Sequence, residues 1–163
     1  RESIKQDIQN IRTSAEEEIQ NLREQFEMRQ AETRNMIETK REEFRSLVET
    51  KRAELKEVIQ AHREELKSQL QKVKDARKKA VIERIDANLA ALNERMTAHF
   101  INVLNQIESV LERVISRTDK AEANSRDVGA VRTATVAAES AIAAARTAVA
   151  AQVARVYSIQ VTL

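Results

Sequence analysis

The chain has 163 residues, 33% of them charged, yet its formal net charge is only +2. It contains one glycine and no proline, cysteine or tryptophan, which excludes a disulfide framework and thiol chemistry and argues for few, long elements. The near balance of charge removes the electrostatic argument for a nucleic-acid binder, and no apolar run approaches the roughly 20 residues that span a bilayer. Many Ala, Glu, Lys, Arg and Leu with 2% aromatics is the composition of coiled coils and long helices, so the expected fold is all-α. The start at Arg1, without an initiator Met, implies a fragment or a processed form.

From the N-terminus the chain repeats every eleven residues. One register runs Ile4, Ala15, Phe26, Ile37, Val48, Ile59, Leu70, Val81; a second runs Ile11, Leu22, Thr33, Phe44, Leu55, Leu66 and fails at Arg77; a third adds Met36, Leu47 and Val58. Eleven residues in three turns is about 3.67 per turn, close to the period of a straight helix. The apolar stripe therefore stays nearly parallel to the axis. Residues 1–79 are expected to form one coiled-coil stalk, with a helix on the order of 115 Å long, whose stripe requires a partner because helical stability comes mainly from packing such a face.

The charges flanking the stripe are segregated. Arg41, Arg52, Arg63 and Lys74 lie on one flank, backed by Arg45, Lys56, Lys67 and Lys78; Glu43, Glu54 and Glu65 lie on the other. In a parallel, in-register pair the basic flank meets the acidic one, whereas an antiparallel pair sets like charges together. A parallel homo-oligomer through the 1–79 seam follows as the expected partner. Lys40, Lys51 and His62 fall inside the stripe, and Lys can snorkel at a lipid interface. The alternative is an amphipathic helix on a membrane surface or another polyanion.

Near residue 80 the pattern changes. The charge run Lys72–Lys79 ends the repeat, and Val81, Ile85, Leu89, Leu92, Met96, Phe100, Val103, Ile107, Val110 and Val114 follow at steps of three and four. The adjacent pairs Phe100–Ile101, Val103–Leu104, Val110–Leu111 and Val114–Ile115 widen this stripe, as in a bundle helix with two neighbours. Asn124, Ser125 and Asp127 form the one turn cluster, with Asp127 as a candidate N-cap. Val128, Val131, Thr135, Ala138, Ile142, Ala145, Val149 and Val153 give the next helix a thin apolar face. Residues 80–156 are thus expected to form an antiparallel helical hairpin with a single reversal near 123–128; a second turn, if the long helix makes one, belongs at Gln71–Lys79, where the repeat fails. The β-branched residues 157–163 are expected to form an extended tail.

The tract from Lys74 to Ala134, with the entry KKAVIERIDANLAALNER and the turn DKAEANSRDV, resembles uncharacterised helical, coiled-coil proteins of candidate-phylum bacteria (Patescibacteria, Parcubacteria). The likeness covers roughly the C-terminal half. It implies a cell-envelope or exported protein and transfers no activity and no functional residue.

No catalytic, cofactor-binding or metal constellation stands in the sequence. His62 and His99 are the two histidines, far apart and without a neighbouring ligand. There is no phosphate-binding glycine loop, nucleophile elbow or H-E-x-x-H. Lys72, Lys74, Arg77, Lys78 and Lys79 form a basic patch that could touch a phosphate or an anionic lipid, with Asp75 inside it and no aromatic to stack a base. The sequence therefore predicts no enzyme, no catalytic residue, no cofactor and no metal. It predicts a structural or interaction protein in which a coiled-coil stalk presents a small helical bundle.

Overall fold

A computed structural model describes residues 2–159 and 161, with side chains described from residue 3 onward. The described chain is all-α, with α1 at Glu2–Gln71, α2 at Ala76–Ala123 and α3 at Gly129–Val153.

α1 ends without glycine or proline. Its last turn tightens as the Lys72 and Val73 amides donate to the Gln69 and Leu70 carbonyls. Asp75 then caps α2, its Oδ1 accepting from the backbone amides of Arg77 at 2.9 Å and Lys78 at 3.2 Å. Those are the second and third helical positions, where an N-cap carboxylate satisfies amides that lack a partner in the helix. α2 closes in a Schellman motif: Arg126 N–H donates to the Ala121 carbonyl and Ser125 N–H to that of Glu122. Ser125 takes the left-handed position, at φ 56°, that glycine usually fills. Asp127 Oδ1 accepts from the Gly129 amide at the entry to α3.

Contacts divide the chain into two units. The first comprises Arg1–Thr39 and Ser109–Ala138. Within it α1 and α2 run antiparallel: Lys120 Nζ lies 5.2 Å from the Phe26 ring centroid, Gln30 donates to Ser116, and Arg34 pairs with Glu112. Leu111, Ile115, Val128 and Thr135 are buried there. Arg132 links α3 to α2 through Asp119 and Glu122. Hydrogen bonds to Glu122 and then Asp119 raise its pKa above the ordinary arginine value against the opposing effect of desolvation.

The second unit comprises Lys40–Glu108 and Glu139–Leu163. Its core is Phe44, Val48, Leu66 and Leu70 of α1, Leu104 of α2, and Ile142, Val149 and Val153 of α3. α1 and α2 are again antiparallel, since Arg41 pairs with Glu108 and Arg63 with Asp86. Asn93 and Gln152 exchange side-chain and backbone hydrogen bonds between α2 and α3.

Two expectations are corrected. The single reversal near 123–128 becomes two, because the chain also leaves the helix at Lys72–Asp75, inside the stretch expected to be continuous. Asp75 supplies the cap, and the basic flank of α1 finds its acids on α2. The stripe over 40–71 therefore has its partner within the chain. Secondly, the adjacent apolar pairs on α2 split: Leu104, Leu111 and Ile115 turn inward while Phe100, Val110 and Val114 stay 47, 50 and 37% exposed. Of the expected extended tail, residues 157–159 and 161 lie outside helix and strand, and Gln160, Thr162 and Leu163 lie outside the described residues.

The two helix ends respond to mutation with opposite signs. Asp75→Ala should lower stability by about 1 kcal/mol. Ser125→Gly should raise it by about 1 kcal/mol, because glycine adopts the left-handed conformation without the Cβ penalty. Chemical denaturation of both variants checks the pair.

Candidate functional site

The inward face of α2 in the second unit carries Ile82, Asn93 and Leu104 in one row and Asp86, Thr97 and Glu108 in another, each spaced by eleven. The eleven-residue period of α1 thus has a counterpart on α2, where it places acids opposite the basic flank of α1. As α1 advances from Arg41 to Arg63, its partner on α2 falls back from Glu108 to Asp86.

One rung is buried. Glu108 has a side-chain exposure of 8% and lies between two guanidinium groups. Arg41 Nε donates to Glu108 Oε2 at 2.9 Å, and Arg41 Nη2 donates to the Asn105 carbonyl. Arg146 of α3 donates from Nη2 to the same carboxylate at 2.7 Å and from Nη1 to the Lys40 carbonyl at 2.6 Å. Its guanidinium carbon also stands 5.0 Å from the Phe44 ring centroid, within cation–π range. Arg146 Nε is buried without a hydrogen-bond partner among the described residues. The cluster holds two cations and one anion, and every contact on Glu108 ties α2 to another helix. Chemically it can hold a register.

The next place along the ladder is different. Arg52 lies eleven residues from both Arg41 and Arg63, but the position opposite it holds Thr97 where the flanking rungs hold acids. Thr97 is 2% exposed and its hydroxyl donates back to the Asn93 and Glu94 carbonyls. Half-buried Arg52 makes no hydrogen bond or ion pair among the described residues. A groove of about 660 Å³ opens at this point. Ala87, Ala90 and Ala91 of α2 leave the space, and Val153, Arg155, Val156 and Tyr157 close its far side.

The histidines behave as ordinary helix residues. His62 is half-buried beside the groove, and His99 is exposed with its ring 5.8 Å from that of Phe100. The described residues contain no group of His, Cys, Asp and Glu able to hold a metal ion. The five residues of the basic patch flank the turn at Lys72–Asp75; four are exposed and Lys79 is half-buried. None of them is in an ion pair among the described residues.

Sequence reading missed both the triad and the gap at Thr97. The signal was present: extending the eleven-residue count past Lys79 collects Asp86, Thr97, Glu108 and Asp119. No protein-family model, curated protein or solved structure matches the chain.

Removing one charge tests the triad. Glu108→Gln leaves two guanidinium groups without their common anion and should cost about 3 kcal/mol, read by urea denaturation. The apolar replacement Arg41→Met with Glu108→Leu and Arg146→Leu should recover most of that loss, since isosteric apolar groups often match a buried ion cluster.

Proposed function

We propose that the protein is a structural or interaction protein, a helical spacer at the cell envelope that self-associates through the first part of α1 and presents a small helical bundle. The observation that carries this reading is an unpartnered stripe. Ile4, Ile8, Ile11, Ile19 and Leu22 are 63, 59, 70, 50 and 50% exposed on the segment preceding Phe26. Apolar side chains at such spacing, left in water, mark an interaction face.

The flanks of this segment favour a parallel second copy. Asp7 and Glu18 lie on one side of the stripe, and Lys5, Arg12 and Arg23 on the other, with Glu16 beside Arg12. Parallel pairing brings Asp7 opposite Arg12 of the second copy and Glu18 opposite Arg23, each five residues on, as flank charges pair across a parallel coiled coil. The seam assigned to residues 1–79 contracts to the segment that has no partner among the described residues. There the eleven-residue repeat would act between copies, in a right-handed or nearly straight coil.

Light scattering on the full chain should give an oligomer at micromolar concentration, and Ile8→Asp with Ile11→Asp should give a helical monomer. A monomer before mutation would end the spacer reading.

A second reading, adsorption to an anionic lipid surface, draws on α2. Asp86, Glu108, Glu112, Asp119 and Glu122 pair with arginines of other helices. Arg77, Lys78, Arg84 and Arg95 are exposed, beside Val81, Ile85, Leu92, Met96 and Phe100 at 41–47% exposure. Apolar and basic residues together on one outer face suit an interfacial helix. No described helix is long and apolar enough to cross a membrane. Sedimentation with phosphatidylcholine vesicles containing phosphatidylserine should then capture the protein, and Met96→Asp should abolish capture. Equal capture of the variant would remove this reading.

A further inference from the structure

We propose that the groove at Arg52 is a binding site for a small amphipathic anion: a carboxylate or phosphate ester on an aliphatic or aromatic body. The inference does not depend on self-association or on the outer face of α2, because the groove is built entirely within the second unit.

The charge pattern supplies the first half of the case. Arg41 and Arg63 each face an acid of α2, whereas Arg52, midway between them, faces Thr97. The Thr97 hydroxyl is turned to backbone carbonyls of its own helix and offers Arg52 nothing. Lys56 and Arg155 also line the groove, and neither side chain has an ion pair among the described residues. Glu94 and Asp86 are the acids on the lining. Asp86 is taken by Arg63, which leaves Glu94 against three cations. The site thus carries an excess of positive charge where the ladder lacks its own anion, and a half-buried guanidinium gains most from an ionised acceptor.

Shape and wall chemistry supply the second half. A volume of about 660 Å³ is within the range of small-molecule sites. Leu55 and Ile59 of α1, Ala90 of α2 and Val153 of α3 give it an apolar wall. The amide pair Asn93–Gln152, extended by Tyr157 Oη on Gln152 Nε2, fixes the rim by hydrogen bonds. A bare ion would leave the wall wet, and a neutral hydrocarbon would leave Arg52 without an acceptor. An anion with an apolar body satisfies both.

The experiment is calorimetric titration of the full chain with sodium decanoate below its micellar concentration, beside decanol and inorganic phosphate. Decanoate should bind saturably, one per chain, with decanol at least about tenfold weaker through loss of the charge-assisted contact and phosphate at least about tenfold weaker through loss of the apolar body. Arg52→Gln should weaken decanoate by about tenfold with the melting temperature unchanged, and Lys56→Gln should weaken it less. Decyl phosphate and phosphatidylglycerol vesicles distinguish the source of the anion. Binding of the soluble ester alone indicates a free amphiphile, whereas vesicle binding lost in Arg52→Gln indicates a lipid headgroup. Absence of decanoate binding, equal affinity for decanol, or an unchanged affinity in Arg52→Gln would each overturn the proposal.

Discussion

Glu108 is the point on which the second unit depends. A carboxylate with 8% side-chain exposure, held between Arg41 and Arg146, fixes one residue on each of three helices at once. Apolar packing tolerates sliding, since a leucine set into one gap of a helical surface fits nearly as well one turn along. A buried ion cluster does not, because a slip of one turn leaves charges without partners at a cost of several kcal/mol. Phe44, Val48, Leu104, Ile142 and Val149 supply the driving force for burial. The triad decides which of the possible registers they adopt.

The eleven-residue period is the geometric reason that such a ladder can exist. Helices of about 3.67 residues per turn hold a stripe almost parallel to their axes, so arginines spaced by eleven on α1 can meet acids spaced by eleven on an antiparallel α2. Period and charge work together in this arrangement. The period keeps Arg41, Arg52 and Arg63 facing one way, and the acids determine what they face. Thr97 interrupts the acidic column, and the alanines beside it open the groove. A single departure from the repeat thereby leaves Arg52 beside a groove in the second unit without the acid that its neighbours face.

Beyond the ladder, the chain leaves much of its apolar surface uncovered. The early isoleucines of α1 and the outer valines, Phe100 and Met96 of α2 lie at about half exposure. Exposed apolar residues in extended rows point to interaction surfaces. Arg132, the one group among the described residues whose pKa departs clearly from its ordinary value, is held by two carboxylates of α2.

The sequence by itself determined that the chain is helical, because the scarcity of glycine and proline and the eleven-residue period are local properties. It also contained the break near 123–128, where Asn124, Ser125 and Asp127 cluster. It marked Gln71–Lys79, where the repeat fails, as the place for any second turn but not that the chain turns there, since an N-cap such as Asp75 looks like any acid within a charge run until the following helix has somewhere to go. Which side of each stripe is buried was decided only by tertiary structure. Arg41, Arg52 and Arg63 are complementary to an acidic flank whether that flank belongs to a second copy or to α2. Once the turn forms, α2 is available at far higher effective concentration than any second chain. The adjacent pairs on α2 posed the same ambiguity, with either member able to face the core. Antiparallel pairing turned Leu104, Leu111 and Ile115 inward and left Phe100 and Val110 in water, because that rotation also brings Glu108 beneath Arg41 and Arg146.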